Sequence, residues 1–139
     1  MVRAQLKAQL PGFTHRLAAA TRATGGVTAD ITRLSITPVH DSWHFPRYPE
    51  LTRILPLEDL AGSILAFVQE HQDLFDGEVI QFGAWINPAT QLCYLDLITR
   101  SSSRDEALEL ARKYGVQGGR QVVAIYNPVR ELTEWLGEG

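Results

Sequence analysis

The sequence predicts an α+β fold: a mainly antiparallel sheet built on a central β-hairpin over residues 79–100, with helices packed on it. Three observations predict this fold: the hairpin pattern itself, a helical period over residues 57–75, and a capped helix from Ser103 followed by a strand over 121–127. Because the helices are apolar on one side only, we expect them to lie against one face of the sheet.

The hairpin prediction depends on the turn sequence Asn-Pro-Ala-Thr-Gln, which separates two runs of strand-forming residues. Pro88 presets φ for a type I turn, and the Asn87 side chain can bond to the backbone. A four-residue loop then places Asn87 opposite Leu92 and makes one face of the hairpin wholly apolar. The members of that face are Phe82, Ala84, Ile86, Cys93, Leu95 and Leu97. The opposite face carries Trp85, Tyr94 and Asp96, and either the Ala-rich helix before it or a partner covers it.

Pro and Gly residues and hydrophobic spacing place the other elements. We expect a helix over 2–10 that ends at Pro11-Gly12, a second helix over 14–24, and alternating strands over 27–32 and 34–39. The helix over 57–75 has Glu58 and Asp59 in its predicted first turn. The helix that the Ser103 capping box opens is predicted to end at Gly115, with Val116 in contact at its end. A helical turn through Leu132 and Leu136 is expected near the C-terminus.

Residues 38–56 form the least regular segment of the chain. Four prolines exclude a long helix and disfavour a central strand, so the segment reads as an ordered loop or as an edge strand over 42–45. Because loops of this length without secondary structure are uncommon, the segment is a candidate binding surface. With the hairpin's polar face, it supplies eight candidate partner-binding residues. They are Trp43, Phe45, Arg47, Tyr48, Arg53, Trp85, Tyr94 and Asp96.

Length and composition are those of one globular domain. The chain has 139 residues, of which 45% are hydrophobic and 21% charged, and it has no apolar run long enough to span a bilayer. We therefore expect a single soluble domain over 1–139, with residues 1–12 and 130–139 peripheral or frayed. The N-terminus lacks the apolar core of a signal peptide, which favours the cytoplasm. Cys93, the single cysteine, is expected to be a buried thiol.

Charge is distributed unevenly, and this asymmetry raises nucleic-acid binding as an alternative function. Residues 1–56 contain seven Arg or Lys against three acids, whereas residues 57–139 contain six against thirteen. A basic N-terminal half next to an aromatic segment is the composition of a surface that binds phosphates and stacks bases.

A metal-dependent enzyme is a second alternative. His40, Asp41 and His44 are the one cluster of metal-ligand residue types in the sequence, and the two histidines would share a face of a strand. The motifs of zinc proteases, paired-cysteine metal sites and serine hydrolases do not occur. Nothing in the sequence predicts a cofactor.

Several short motifs resemble those of a group of small proteins. They are Thr24-Gly25-Gly26-x-Thr28, Gly83-x-Trp85, Tyr94-Leu95-Asp96, Asp105-Glu106-Ala107-x-x-Leu110-Ala111 and Ala124-Ile125-Tyr126. The chain resembles uncharacterised proteins carried by bacteriophages and plasmids of GC-rich bacteria. This resemblance implies a mobile-element context, in which small proteins often bind a host or defence component. The leading hypothesis is therefore a non-enzymatic protein that binds another protein.

Overall fold

The fold is α+β, as predicted, and the described residues form three helices and eight strands whose pairings are antiparallel. The structure, a computed structural model, describes residues 2–137 and their side chains from Lys7 onward. Of the termini that were predicted to be peripheral, residues 1, 138 and 139 lie outside the described residues. None of the described helices has the length and apolarity to cross a bilayer.

The elements follow one another in the order helix, four strands, helix, two strands, helix, two strands. The helices are α1 (Val2–Thr24), α2 (Leu60–Glu70) and α3 (Arg104–Gly118). The strands are β1 (Gly26–Asp30), β2 (Ser35–Ile36), β3 (Trp43–Pro46), β4 (Arg53–Leu55), β5 (Gln81–Ile86), β6 (Cys93–Ser101), β7 (Ala124–Asn127) and β8 (Leu132–Trp135). Residues up to Thr37 with Arg53–Leu95 form one compact unit, unit 1, and Pro38–Thr52 with the residues from Asp96 onward form unit 2.

Unit 1 contains the hairpin turn, β5 and the start of β6, and its strands follow the order β2-β1-β5-β6, with β4 on the other side of the start of β6. The predicted turn is confirmed: the Asn87 N–H donates to the Leu92 carbonyl at 2.9 Å, and the Asn87 side-chain oxygen accepts from the Ala89 N–H at 2.9 Å. The predicted apolar face is buried apart from the half-buried Ile86, and Cys93 is fully buried within it.

Helix α2 packs against this apolar face at Phe82. Its Phe67 ring meets the Phe82 ring of β5 edge to face, with 6.1 Å between centroids. The helix is shorter than predicted because Asp59 takes a left-handed backbone conformation (φ 51°) immediately before Leu60. Glu58 and Asp59 therefore precede the helix instead of occupying its first turn, and a separate 3-10 turn follows over Gln72–Leu74.

Helix α1 is one continuous helix and not the two that Pro11-Gly12 predicted. Proline lacks the N–H that would bond four residues back, which usually ends a helix. In this helix the turn after Pro11 is stabilised by packing and by a hydrogen bond. Phe13 and Leu17 are buried, and the Thr14 hydroxyl donates to the Pro11 carbonyl at 2.9 Å. Tertiary packing thus overrides the local preference.

Unit 2 places its strands in the order β6-β3-β7-β8. The prediction that the proline-rich segment would be irregular or an edge strand was wrong for β3, which pairs with β6 on one side and β7 on the other. The prolines do not prevent this, because Pro46 is the last strand residue and the others lie outside the strand. Beyond β3 the chain forms a 3-10 turn over Pro49–Leu51 before β4.

Helix α3 begins as predicted but ends one turn later. The Ser103 hydroxyl accepts a hydrogen bond from the Glu106 N–H at 3.2 Å, which is the expected N-cap. Gly115 lies inside the helix, where a Cβ would stand 3.2 Å from the Arg120 carbonyl oxygen, and Gly119 (φ 71°) forms the cap. Val116 is 84% exposed and makes no terminal hydrophobic contact.

The C-terminal segment forms strand β8 and not the predicted helical turn. Asn127 turns the chain back, since its side-chain oxygen accepts from the N–H groups of Val129 and Arg130, both at 3.0 Å. The returning residues pair antiparallel with β7, with Tyr126 opposite Thr133. This tight return makes a strand favourable where the Leu132 and Leu136 spacing suggested a helix.

The N-cap of α3 can be tested by substitution. We expect Ser103→Ala to lower the free energy of unfolding by about 1 kcal/mol, because it removes the hydroxyl that accepts from the Glu106 N–H. Ser102→Ala is the matched control, since Ser102 is exposed, and it should change stability by less than about 0.5 kcal/mol. Urea unfolding of both variants measures the difference, and equal losses would contradict the cap.

Candidate functional site

Two of the predicted partner-binding residues belong to the core of unit 2. Trp43 is 4% exposed and Phe45 is 1% exposed, and both pack with Ala107, Ala111 and Ile125. They cannot present a surface to a partner, so that expectation was wrong for these two positions. The reason is that β3 is an interior strand whose alternate residues face α3.

Arg47 and Tyr48 are held within unit 2 by an aromatic stack. The Arg47 guanidinium lies 4.7 Å from the Tyr48 ring centroid and 4.2 Å from the Tyr114 ring centroid. A guanidinium between two rings gains cation–π attraction from both. Its backbone N–H also donates to the Leu97 carbonyl at 2.8 Å. This arrangement uses the aromatic faces that nucleic-acid bases would stack on.

The three candidate metal ligands have separate environments. Asp41 accepts hydrogen bonds from Asn127 at 2.8 Å and from Arg130 at 3.0 Å, and these contacts lower its carboxyl pKa. His40 is exposed, whereas His44 lies in β3, where burial, followed by the charges of Arg100 and His40, lowers its pKa to about 4. Residues 2–137 contain no group of three His, Cys, Asp or Glu side chains that could hold a metal ion.

Asp96 lies in a polar network of unit 2. The Thr52 hydroxyl donates to its carboxyl group, and Arg120 binds the Thr52 carbonyl oxygen at 2.8 Å. Burial raises the pKa of Asp96 to about 6, while the Thr52 hydrogen bond and the Arg120 charge act in the opposite direction. Desolvation therefore dominates this site, and the carboxyl group titrates close to neutral pH.

The remaining candidates in unit 1 are Trp85, Tyr94 and Arg53. Trp85 and Tyr94 are half-buried, and their rings meet edge to face with 5.4 Å between centroids. They lie on the sheet face opposite the one that Phe82 presents to α2. Arg53 lies on the same face as Phe82, the one that packs against α2, because it is the Cα partner of Leu95. Its guanidinium lies 4.0 Å from the Glu70 carboxylate at the end of α2.

Two further residues extend the aromatic pair into a row across four strands. Gly26 is the Cα partner of Trp85, and Ile54 is the Cα partner of Tyr94. The aromatic row therefore consists of Gly26, Trp85, Tyr94 and Ile54, and at about 4.8 Å between strands it spans roughly 14 Å. Ile54 is 41% exposed. A Cβ at Gly26 would stand 3.1 Å from the Ala84 carbonyl oxygen and 3.8 Å from the Trp85 indole, so the glycine relieves crowding between β1 and β5.

Sequence reasoning missed Gly26 and Ile54. The sequence predicts Gly25-Gly26 as the end of a helix, and Ile54 lies in a three-residue strand within a proline-rich segment. The alternation of Arg53, Ile54 and Leu55 was the available signal for β4. A run of three residues is too short for a periodicity argument, which needs four or more.

The chain was compared with protein-family models, with curated proteins and with solved structures. None of these comparisons found a match.

Asp96 makes the stability of the protein depend on pH. Because its pKa is raised from 3.8 to about 6 in the folded state, the unfolded chain loses this proton first. The neutral carboxyl group therefore makes its full contribution to the free energy of unfolding below about pH 4, and this contribution is lost as the pH rises through 6. We expect Asp96→Asn to remove a decline on the order of 3 kcal/mol, at about 1.4 kcal/mol per pKa unit.

Urea unfolding of the wild type and of Asp96→Asn at pH 4, 5, 6 and 7 measures this decline. The difference between the two proteins isolates Asp96 from the other acids. Parallel stability profiles would show that the carboxyl group titrates as it does in water.

Proposed function

We propose that the protein is a non-enzymatic binding protein that recognises another protein through the aromatic row of unit 1. The observation that carries this proposal is the row itself: Trp85, Tyr94 and Ile54 are partly exposed side by side on a sheet face opposite α2. Tryptophan and tyrosine are the residue types that contribute most to binding energy at protein interfaces.

The shape of the row favours a protein partner. The Trp85 and Tyr94 rings are in edge-to-face contact, which restricts their rotation. Little side-chain entropy is therefore lost when a partner covers them. Ile54 continues the apolar surface from Tyr94 to strand β4. A small apolar centre is the usual anatomy of the middle of an interface.

The class of partner follows from the resemblance to bacteriophage and plasmid proteins. We propose a host or defence protein in the cytoplasm of a GC-rich bacterium as the target. Such a role requires affinity and shape complementarity and no catalytic group. The buried Trp43 and Phe45 and the stacked Arg47 and Tyr48 leave fewer aromatic faces for bases, which makes nucleic acid the weaker candidate.

Surface substitutions test the aromatic row directly. We expect Ile54→Asp and Trp85→Ala to weaken partner binding at least about tenfold, a loss of about 1.4 kcal/mol, because each removes apolar contact from the row. Val116→Asp is the matched control, since it places the same charge at an exposed apolar position of unit 2. The immobilised proteins would be incubated with host lysate, and the affinity for a recovered partner measured by interferometry.

The expected pattern is a stoichiometric protein that the wild type and Val116→Asp retain and the two row variants lose. Equal binding by the wild type and Ile54→Asp would show that the partner uses another surface. Recovery of no stoichiometric protein would argue against a binding function of this kind. Circular dichroism of each variant establishes that it is folded.

A further inference from the structure

Strand β8 is the last strand in the sheet order of unit 2, and no described strand pairs with its outer side. Its backbone directions follow from one hydrogen bond: the Leu136 N–H donates at 2.7 Å to the carbonyl of Val123, the residue before β7. Because every second residue of an antiparallel strand bonds to the same neighbour, Glu134 and Leu132 also bond towards β7. The N–H and C=O of Thr133 therefore point away from β7, towards the outer edge.

The side chains along this edge are apolar and exposed. Leu132 is 51% exposed and Trp135 is 50% exposed, and Val129 in the preceding turn is 50% exposed. Edge strands in folded proteins are usually protected by lysine, by proline or by an unpaired charge, because an unprotected edge pairs with other strands. The four residues of β8 include neither lysine nor proline. The edge is thus an apolar surface with backbone groups directed outward.

The one charged residue of β8 is neutralised within the chain. Glu134 is the Cα partner of Ile125, whose side chain packs under α3, so Glu134 lies on the α3 side of the sheet. On that side both of its carboxylate oxygens accept hydrogen bonds from the Arg104 guanidinium of α3. A bidentate pair of this kind leaves little net charge at the strand. The edge therefore lacks the unpaired charge that would oppose an incoming strand.

Few registers allow two copies of β8 to pair antiparallel about a two-fold axis. Paired residues share a face and bond in pairs, so a residue directed outward must stand opposite another that is directed outward. Two registers that satisfy this rule pair three of the four strand residues. The register centred on Glu134 sets like charges opposite one another, which is unfavourable. The register centred on Thr133 sets Thr133 opposite its own copy and Leu132 opposite Glu134.

We propose that the outer edge of β8 is the surface through which the protein pairs with a second copy of itself. The two Thr133 residues exchange their N–H···O=C hydrogen bonds at the centre of the interface. The Trp135 side chain lies diagonal to Thr133 of the partner subunit, about 7–8 Å away and within reach of an indole ring. A second copy fits this edge because each copy presents the donors, acceptors and apolar side chains that the other requires.

This interface is small and lies apart from the aromatic row. It contains a few backbone hydrogen bonds and the exposed parts of a few side chains, which is the size of a transient complex. We therefore expect a dissociation constant on the order of 100 µM. The interface lies in unit 2 and shares no residue with the aromatic row of unit 1, so the two proposals can fail independently.

Self-association of the full chain tests the proposal. Sedimentation velocity from about 10 µM to about 1 mM should show a shift from monomer to dimer. Thr133→Pro should weaken the dimer at least about tenfold, because it removes the outward N–H and leaves the bonds to β7 in place. Thr133→Val is the matched control: it keeps both the N–H and the β-branched shape and should associate as the wild type does.

A further variant keeps the test decisive if Thr133→Pro does not fold, which circular dichroism establishes. Trp135→Lys introduces the charge that usually protects an edge strand and should also weaken the dimer at least about tenfold. Ile54→Asp, which changes the aromatic row, should associate as the wild type does.

Cross-linking tests the register of the two strands. In a hydrogen-bonded antiparallel pair the two Cα atoms are about 5.5 Å apart, a distance that a disulfide spans. Thr133→Cys should therefore form a disulfide-linked dimer on mild oxidation, while the buried Cys93 stays out of reach. Trp135→Cys is the control, because its two copies would lie about 13 Å apart along the strands.

Three outcomes would overturn the proposal. One is a monomer over the whole concentration range. Another is a dimer that Thr133→Pro and Trp135→Lys leave unchanged, or one that Trp135→Cys cross-links and Thr133→Cys does not, since the contact or its register would then be different. The last is a wild type that stays monomeric and captures from a lysate a protein that Thr133→Pro loses, which would assign the edge to another chain.

Discussion

The antiparallel pairing of strand β6 is the interaction on which the other elements depend. Its first residues, Cys93–Leu95, pair with β4 in unit 1, and its last four pair with β3 in unit 2. Alternate side chains of the strand, including Leu95 and Leu97, are fully buried. A shift of one residue in this strand would turn those side chains to the opposite face, so its register is strongly constrained.

Where local chemistry determines an element, the sequence was sufficient to predict it. Asn87 and Pro88 determine the hairpin turn, and Ser103 determines the start of α3, because each acts on backbone groups within four residues. Pro11 and Gly115 show the opposite case. Both residues strongly favour the end of a helix, and tertiary packing overrides this preference. No spacing pattern in the sequence predicts that packing.

The candidate site shows a second limit of sequence reasoning, since composition does not say where a side chain points. The aromatic segment over 43–48 has the residue types of a binding surface, yet alternation along β3 sends Trp43 and Phe45 into a core. The Trp85 and Tyr94 contact could be predicted because the hairpin turn sets the register between their strands. Ile54 could not, because β4 reaches Tyr94 from a distant part of the chain.

The single thiol of the chain offers an intrinsic probe of local opening. Cys93 is fully buried at the turn end of the hairpin's apolar face, where β6 begins. A thiol reagent can reach it only when the strand separates from its neighbours, and no second cysteine contributes background. The rate of labelling therefore reports how often the sheet opens in the native protein, without any engineered label.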